Sequence, residues 1–584
     1  MVAVVETDAD DLPGALDRQH GANLLRRGEQ RVDDAAKATV AQLISDAGFE
    51  PVDAGGSDAT PLLEAFAKLV IVIAYRQGRG PFVYRFQSRW STPGRSRLGS
   101  VSLPVPLVAE LREALGAGHV ITEPEQLRVY ECDGLTGHRA VPELVALPGS
   151  TEEVQTVVRA CHRERVPFVA RGAGTGLSGG ATPVAGGVVV SLARMNRILE
   201  IDLASQRVVV EPGVANLDVS HAVAGEGFFY APDPSSQQVC TIGGNVAENS
   251  GGAHCLKHGF TAHHVTGLTL VLPDGEVVEL GGKALDPDGP DLLGVVVGSE
   301  GTLGIVTRIT LRIVRSPQVV RTLLAGFETM DAAGAAVSGI VAAGILPSAI
   351  EMMDRLTIEA AELSVSPGYP EGAGAVLLVE LDGVAEQVED DVADVERICR
   401  ECGAFGLRTA ANEADRALLW KGRKSAFAAM GRIATDYYVQ DGVVPRTRLP
   451  DVLRRIEELS AAHGLRVGNV FHAGDGNLHP LVLYDAEAGE TERARELAEA
   501  ILDACLDAGG SLTGEHGVGM DKACSMPRMF SERDLHTFER LRRAFDPAGL
   551  CNPGKVIPTP RLCGEVPGPY RVHALERMGV AERF

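Results

Sequence analysis

His472 and His479 bracket the segment Val470-Phe-His-Ala-Gly-Asp-Gly-Asn-Leu-His-Pro480, whose centre, Asp475-Gly476, is a hairpin turn pair. A loop of those two residues pairs 472 with 479 on one face, with Cβ atoms about 5 Å apart. That spacing suits two imidazoles on one divalent metal. A third ligand is at hand in Ser511-Leu-Thr-Gly-Glu-His-Gly-Val-Gly519, a glycine-framed turn that puts Glu515 beside His516. Two histidines and one carboxylate with an open position form a recognised layout for Zn, Mn or Fe. A divalent ion, Zn or Mn, is expected there, on His472 and His479 with a third ligand from the Glu515-His516 turn.

A second constellation is the glycine loop Pro167-Phe-Val-Ala-Arg-Gly-Ala-Gly-Thr-Gly-Leu-Ser-Gly-Gly180. It contains Gly174-x-Gly176-x-x-Gly179, formally a dinucleotide fingerprint, which counts only when a strand precedes it and a helix follows. A strand precedes it. No helix follows, because Ala181-Thr-Pro-Val-Ala-Gly-Gly187 runs straight into the next strand. No phosphate-loop lysine is present either. The loop still suits a pyrophosphate, since its glycines let backbone N–H groups turn inward and a phosphate come close. Thr175 and Ser178 add hydroxyl donors. Two further glycine-rich stretches follow, Pro232 to Gly252 and Gly298 to Thr307.

In that order the three segments resemble the flavin-binding domain of vanillyl-alcohol-oxidase-type (PCMH-type) enzymes, in which two α+β subdomains hold an extended FAD. The resemblance implies contacts from Arg171, Gly172, Gly174, Thr175, Gly176, Ser178, Gly179, Pro232, Asp233, Thr241, Gly244, Asn249, Gly252, Glu300 and Ile305. Many members carry a flavin-bonded histidine where Thr175 stands here, so FAD is expected to be non-covalent. From about 100 to 558 the chain resembles the FAD-linked 2-hydroxy-acid dehydrogenases, the family of the glycolate oxidase flavoprotein subunit and of D-lactate and D-2-hydroxyglutarate dehydrogenases. The segment Phe545 to Pro558, with Asn552 among the expected cofactor contacts, belongs to that likeness. So does Leu419-Trp-Lys-Gly-Arg423-Lys, whose arginine pairs with the substrate carboxylate in the family.

The resemblance gives His472, His479 and Glu515 the metal and makes His516 the base. It implies that the metal acidifies the C2 hydroxyl of a hydroxy acid. His516 takes the proton, hydride passes to flavin N5, and Arg423 forks onto the carboxylate. Two departures narrow the substrate. The hydroxyglutarate enzymes carry a lysine where Val439 stands and an asparagine where Leu481 stands. A short monocarboxylate, glycolate or D-lactate, is expected. The competing reading is a non-catalytic flavin-binding subunit for electron relay or assembly, which would have no need of the histidine–carboxylate set.

The elements that must position these groups are legible in outline. Ser150 and Glu153 form a capping box before Val154, Val157, Val158 and Cys161. Strands are expected at 167–170, 187–192, 207–211, 267–273, 276–280, 375–381 and 467–472, and helices at 329–345, 384–402 and 491–508. The Ser/Pro/Gly/Arg-rich stretch near 88–100 reads as a linker. Four regions result: an extension over 1–95, an FAD-binding domain over 96–315, an α+β substrate and metal domain over 316–558, and an irregular tail over 559–584. Residues about 20–87, with expected helices at 34–47 and 59–76, resemble the carboxy-terminal end of NADP- and F420-type reductases without their nucleotide loop.

The net charge of −23 argues against nucleic acid as a partner and requires a locally basic site for an anionic substrate. Ten cysteines, with Cys399-x-x-Cys402 the close pair, are read as incidental reduced thiols. Neither a secretory leader nor a membrane-spanning run is expected. The protein is expected to be cytoplasmic, meeting the inner membrane face only peripherally or through a partner. No iron–sulfur or haem motif is present, so electrons are expected to leave to oxygen, a quinone, a cytochrome or an iron–sulfur partner subunit.

Overall fold

The computed structural model describes residues 103–284 and 289–558, together with the antiparallel backbone strands Val2–Val4 and Glu50–Val52. The expected helices at 34–47 and 59–76, the linker and the tail lie outside the described residues. Residues 99–569 form one compact unit.

The first half of this unit holds two larger sheets and a two-stranded ribbon of Phe228–Phe229 with Val314–Arg315. One has the order Val120–Ile121, Leu144–Ala146, Val188–Ser191, Phe168–Arg171, and its last three strands run parallel. Those strands are short and almost wholly apolar, as strands covered on both faces must be. The helix Thr151–Glu164 packs here, burying Val154, Val157, Val158 and Cys161. Ser150 caps it by accepting from Glu153 N, while the Glu153 carboxylate reaches back to Gly149 N at 2.7 Å. The second sheet is antiparallel, in the order Val277–Gly281, Val265–Val271, Ile305–Arg312, Arg207–Val210, Ile198–Asp202.

The second half is built on one antiparallel sheet. Its order is Phe405–Thr409, Val319–Phe327, Ala375–Gly383, Ala349–Asp354, Val467–His472, Asn477–Tyr484, Asp436–Val439, with Gly442–Val443 also on Asn477–Tyr484. Alternation along each strand divides its residues between two cores. Leu323, Leu377 and Val379 pack with helices Met330–Ala342, Ala385–Glu401, Leu449–His463 and Thr491–Asp507. Leu324, Val376, Leu378, Val470 and Leu481 face the opposite side, with helices Arg355–Ser364 and Glu413–Lys424.

By the same alternation Glu351, Glu380, His472 and His479 fall on this second face, among apolar neighbours. The helix Glu413–Lys424 covers them. Its residues Arg416, Trp420 and Arg423 follow helical spacing on one side, and they meet the acidic row of the sheet: Arg416 and Trp420 on Glu380, Arg423 on Glu351. A polar stripe buried between a helix and a sheet must pair internally, because an unpaired buried charge costs several kcal/mol.

Candidate functional site

The hairpin carrying the two histidines has a different register from the one its turn pair suggests. His472 pairs with Asn477 and Val470 with His479, so the loop is Ala473 to Gly476. Gly476 N donates to His472 O at 3.1 Å, and the Asp475 carboxylate accepts from Asn477 N at 3.1 Å, which closes a four-residue turn instead of a two-residue one. The shift is two residues, one full period of the strand, so both imidazoles stay on one face as diagonal neighbours. Their ring centroids lie 5.2 Å apart.

Glu515 Oε1 lies 3.1 Å from His479 Nε2, 3.5 Å from His472 Nε2 and 3.7 Å from His516 Nε2. Ligand atoms of His472, His479 and Glu515 all fall within 4.8 Å of one another, the compactness one ion requires. Burial alone would raise the Glu515 pKa, but hydrogen bonds from His472 and His479 hold it well below the usual carboxylate range. Burial likewise works against a charged His472, and Glu351 and Glu515 outweigh it, keeping that imidazole well above its ordinary pKa. Two imidazoles around one ionised carboxylate fit a divalent cation chemically.

His516 stacks on His479 with ring centroids 5.0 Å apart, and burial pushes its pKa down to about 4. The glycine-framed turn that carries it is organised by Asp441. The Asp441 carboxylate accepts from Thr513 Oγ1 and from the backbone N–H groups of Gly514, Glu515 and His516 at 2.5–3.2 Å. It also lies 3.8 Å from His479 Nδ1 and 3.5 Å from Lys522 Nζ. Glu300 fastens the turn further on, accepting from Val518 N and Gly519 N at 2.6 and 2.7 Å.

Arg423 is buried, with Nη2 2.6 Å from Glu351 Oε2, while its Nε has no hydrogen-bond partner among the described residues. The other Glu351 oxygen lies 2.7 Å from His472 Nδ1. Sequence reading missed Glu351 and Asp441. The first could have been suspected as a lone acid in the apolar strand Ala349-Ile-Glu-Met-Met353. Nothing near Asp441 in the chain announces its partners at 513–516.

Beside this cluster lies a cavity of about 340 Å³, of a size suited to a sizeable ligand. Its wall includes Gly172, Gly174, Thr175, Gly176, Thr241, Gly244, Lys424, Glu515 and His516. A smaller one of about 80 Å³ shares Gly172, Thr241, Gly244 and Glu248, and adds Arg171, Glu300 and Ile305. The glycine loop and the Glu515–His516 turn thus border the same space. Gly174 has φ +72°, and a Cβ there would run into the Arg171 guanidinium. Glu248 borders both cavities, with Oε2 lacking a hydrogen-bond partner among the described residues.

The remaining expected cofactor contacts stand behind this wall. Ser178 is buried, its carbonyl accepting from Met520 N and Asp521 N, and its hydroxyl does not reach either cavity. Gly179 packs on Met520. Pro232 O accepts from Asn216 Nδ2, Asn249 Oδ1 accepts from Ala262 N, and Gly252 packs on the Asp233 backbone. Asn552 Nδ2 donates to Gly180 O and Glu300 O, tying the carboxy-terminal segment to the loop. Asp233 pairs with His254 at 3.0 Å and Lys424 at 3.3 Å, and His254 in turn meets Glu380 at 3.1 Å. Eight cysteines, Cys399 and Cys402 among them, are free, whereas Cys524 is disulfide-bonded, against the expectation of uniformly reduced thiols.

Comparison with known proteins bears on both halves. Residues 142–281 match the family model described as an FAD binding domain, and residues 316–556 match the one described as the C-terminal domain of FAD linked oxidases. The glycolate oxidase subunit GlcD of Escherichia coli (strain K12) is 50% identical over 464 residues, which cover 79% of this chain and 93% of that protein. The D-lactate dehydrogenase of Anaerostipes hadrus is 34% identical over 428 residues, covering 72% of this chain and 90% of that protein. Among solved structures, p-cresol methylhydroxylase with substrate bound superposes with a TM-score of 0.64 at 18% identity, covering 78% of this chain and 97% of that one, which shows a shared fold.

Proposed function

The chain belongs to the FAD-linked oxidases, with a PCMH-type FAD-binding domain and an FAD-oxidase C-terminal domain, and from that premise we propose that it oxidises a short 2-hydroxy acid, glycolate or D-lactate, to the 2-oxo acid. It is an oxidoreductase whose cofactor is FAD. The observation that carries the reading is the wall shared by the glycine loop and by Glu515 and His516. A group held by the one faces a base held by the other.

When bound, FAD supplies the two-electron acceptor. The cavity, the loop that excludes a Cβ and the absence of a histidine at position 175 support a flavin held without a covalent bond. His472, His479 and Glu515 would hold a divalent ion, Zn or Mn, which would supply Lewis acidity at the substrate oxygens. His516 is neutral at neutral pH and takes the hydroxyl proton. Lys424 on the cavity wall, and Arg423, which is buried on Glu351 and does not line the cavity but has an unpartnered Nε among the described residues, would supply the cations for the substrate carboxylate. Leu481 is fully buried among apolar residues and offers nothing to a second carboxylate, which favours a short substrate.

An electron acceptor outside the chain, an iron–sulfur partner subunit, a quinone or a cytochrome, completes the cycle. We place the protein in the cytoplasm; among the described residues no helix is long and apolar enough to cross a membrane. The division into an extension over 1–95, domains over 96–315 and 316–558 and a tail over 559–584 belongs to the same reading. The test is an anaerobic screen of the purified yellow protein with glycolate, both lactate enantiomers and 2-hydroxyglutarate. Bleaching by glycolate or D-lactate alone is expected. A flavin that no hydroxy acid bleaches would overturn the reading in favour of a relay subunit.

A further inference from the structure

Glu351 is a fully enclosed carboxylate beside the cluster, its side chain 1% exposed and facing Arg423 at 2%. Sheet register delivers it: Glu351 on Ala349–Asp354 is the direct cross-strand partner of His472 on Val467–His472. Its two oxygens serve different groups, Oε1 at 2.7 Å from His472 Nδ1 and Oε2 at 2.6 Å from Arg423 Nη2. Burying such an ion pair gains little stability over apolar residues of similar volume, because desolvation offsets the attraction. A purely structural reason for it is therefore weak. Its geometry suits another purpose. A carboxylate on Nδ1 fixes the ring with Nδ1 protonated and turns Nε2 toward Glu515 and the space between the ligands, where a divalent ion would take the place of the Nε2 proton. The same carboxylate fixes the guanidinium that is to meet the substrate.

We propose that Glu351 is a positioning residue that joins two subsites, holding His472 with Nε2 presented to a divalent metal and holding Arg423 in register with it for the substrate carboxylate. This rests on the metal and substrate reading above. It goes further in assigning one buried side chain the joint between them. Loss of Glu351 should therefore damage metal affinity and substrate binding together, while the flavin, held by the other half of the chain, is kept.

The test uses the FAD-loaded full chain with Glu351→Gln, and also with Glu351→Gln combined with Arg423→Met, which removes both buried charges and guards against failure to fold. Zn²⁺ and Mn²⁺ affinities are read by chelator competition, flavin content by absorbance, and steady-state constants at saturating metal. Both variants should keep one FAD per chain and bind metal on the order of 10–100-fold more weakly. Glu351→Gln should regain kcat when metal is saturating, yet retain a raised KM for glycolate or D-lactate. Wild-type metal affinity in both variants would overturn the proposal while leaving the proposed function standing. A wild-type protein that binds neither ion would overturn the metal reading and this proposal with it.

Discussion

Three imidazoles converge on Glu515, and two buried carboxylates behind them decide how they point. Glu351 stands on His472, and Asp441 stands on the turn that carries Glu515 and His516. Asp441 is the more costly of the two to lose. It satisfies three backbone N–H groups and the Thr513 hydroxyl and faces the buried Lys522 ammonium. Asp441→Ala leaves those donors and that charge unmet, and should lower the unfolding free energy by about 3–5 kcal/mol. Denaturant unfolding measures this, and an unchanged midpoint would remove Asp441 from its organising role. At this scale the sequence was informative where glycines frame the chemistry. His472, His479, Glu515 and His516 stand out because turns expose them as motifs. Glu351 and Asp441 do not, because their partners lie far along the chain and meet them only when strand, helix and turn pack together.

Elements explain both what was readable and what was misread. The strand Ala375–Gly383 falls within two residues of its expected bounds because burial on two faces leaves a near-continuous apolar run, and the helix Ala385–Glu401 within one because Val388, Val395, Ile398 and Cys399 recur at helical spacing on one buried face. The hairpin register differs from the expected one because Asp475-Gly476 is not a complete two-residue turn. The Asp475 carboxylate instead caps Asn477 N, and the loop takes four residues. Parity survived, and with it the shared face. The glycine loop is the other element with a direct test. Gly174 has φ +72° against Arg171, so Gly174→Ala carries a left-handed strain of about 1–2 kcal/mol. It should weaken FAD retention roughly 10-fold, read by flavin release on dilution. Unchanged retention would show that the loop does not need its backbone shape for the cofactor.

Across the whole unit, the two halves are tied by the charge series Lys424, Asp233, His254, Glu380, Arg416. Burial alone would lower the His254 pKa; Asp233 and Glu380 reverse this and bring it to about 10, against an ordinary 6.5. A raised folded-state pKa gives stability that is full below about 6.5 and disappears as pH rises through about 10. His254→Ala should cost on the order of 3 kcal/mol at pH 6. It should also flatten the fall in melting temperature between neutral pH and pH 10; an equally steep fall in the variant would exclude His254 as its source. No motif pointed to this series: Asp233 was expected to contact the cofactor, and the other members are ordinary charged residues until the halves meet. The net charge of −23 likewise says only that a local cation is needed for an anionic substrate, not which residue supplies it. Chelation offers a further test at this scale: activity should be lost in step with one ion per chain while the flavin spectrum persists.

His516, on the cavity wall it shares with the glycine loop, is proposed to take the proton of a short 2-hydroxy acid as the flavin is reduced. The most direct measurement is anaerobic stopped-flow reduction of His516→Ala by glycolate and D-lactate. The variant should purify yellow with full FAD content and reduce its flavin about 10²–10⁴-fold more slowly than the wild type. Bleaching at the wild-type rate would remove His516 from that role.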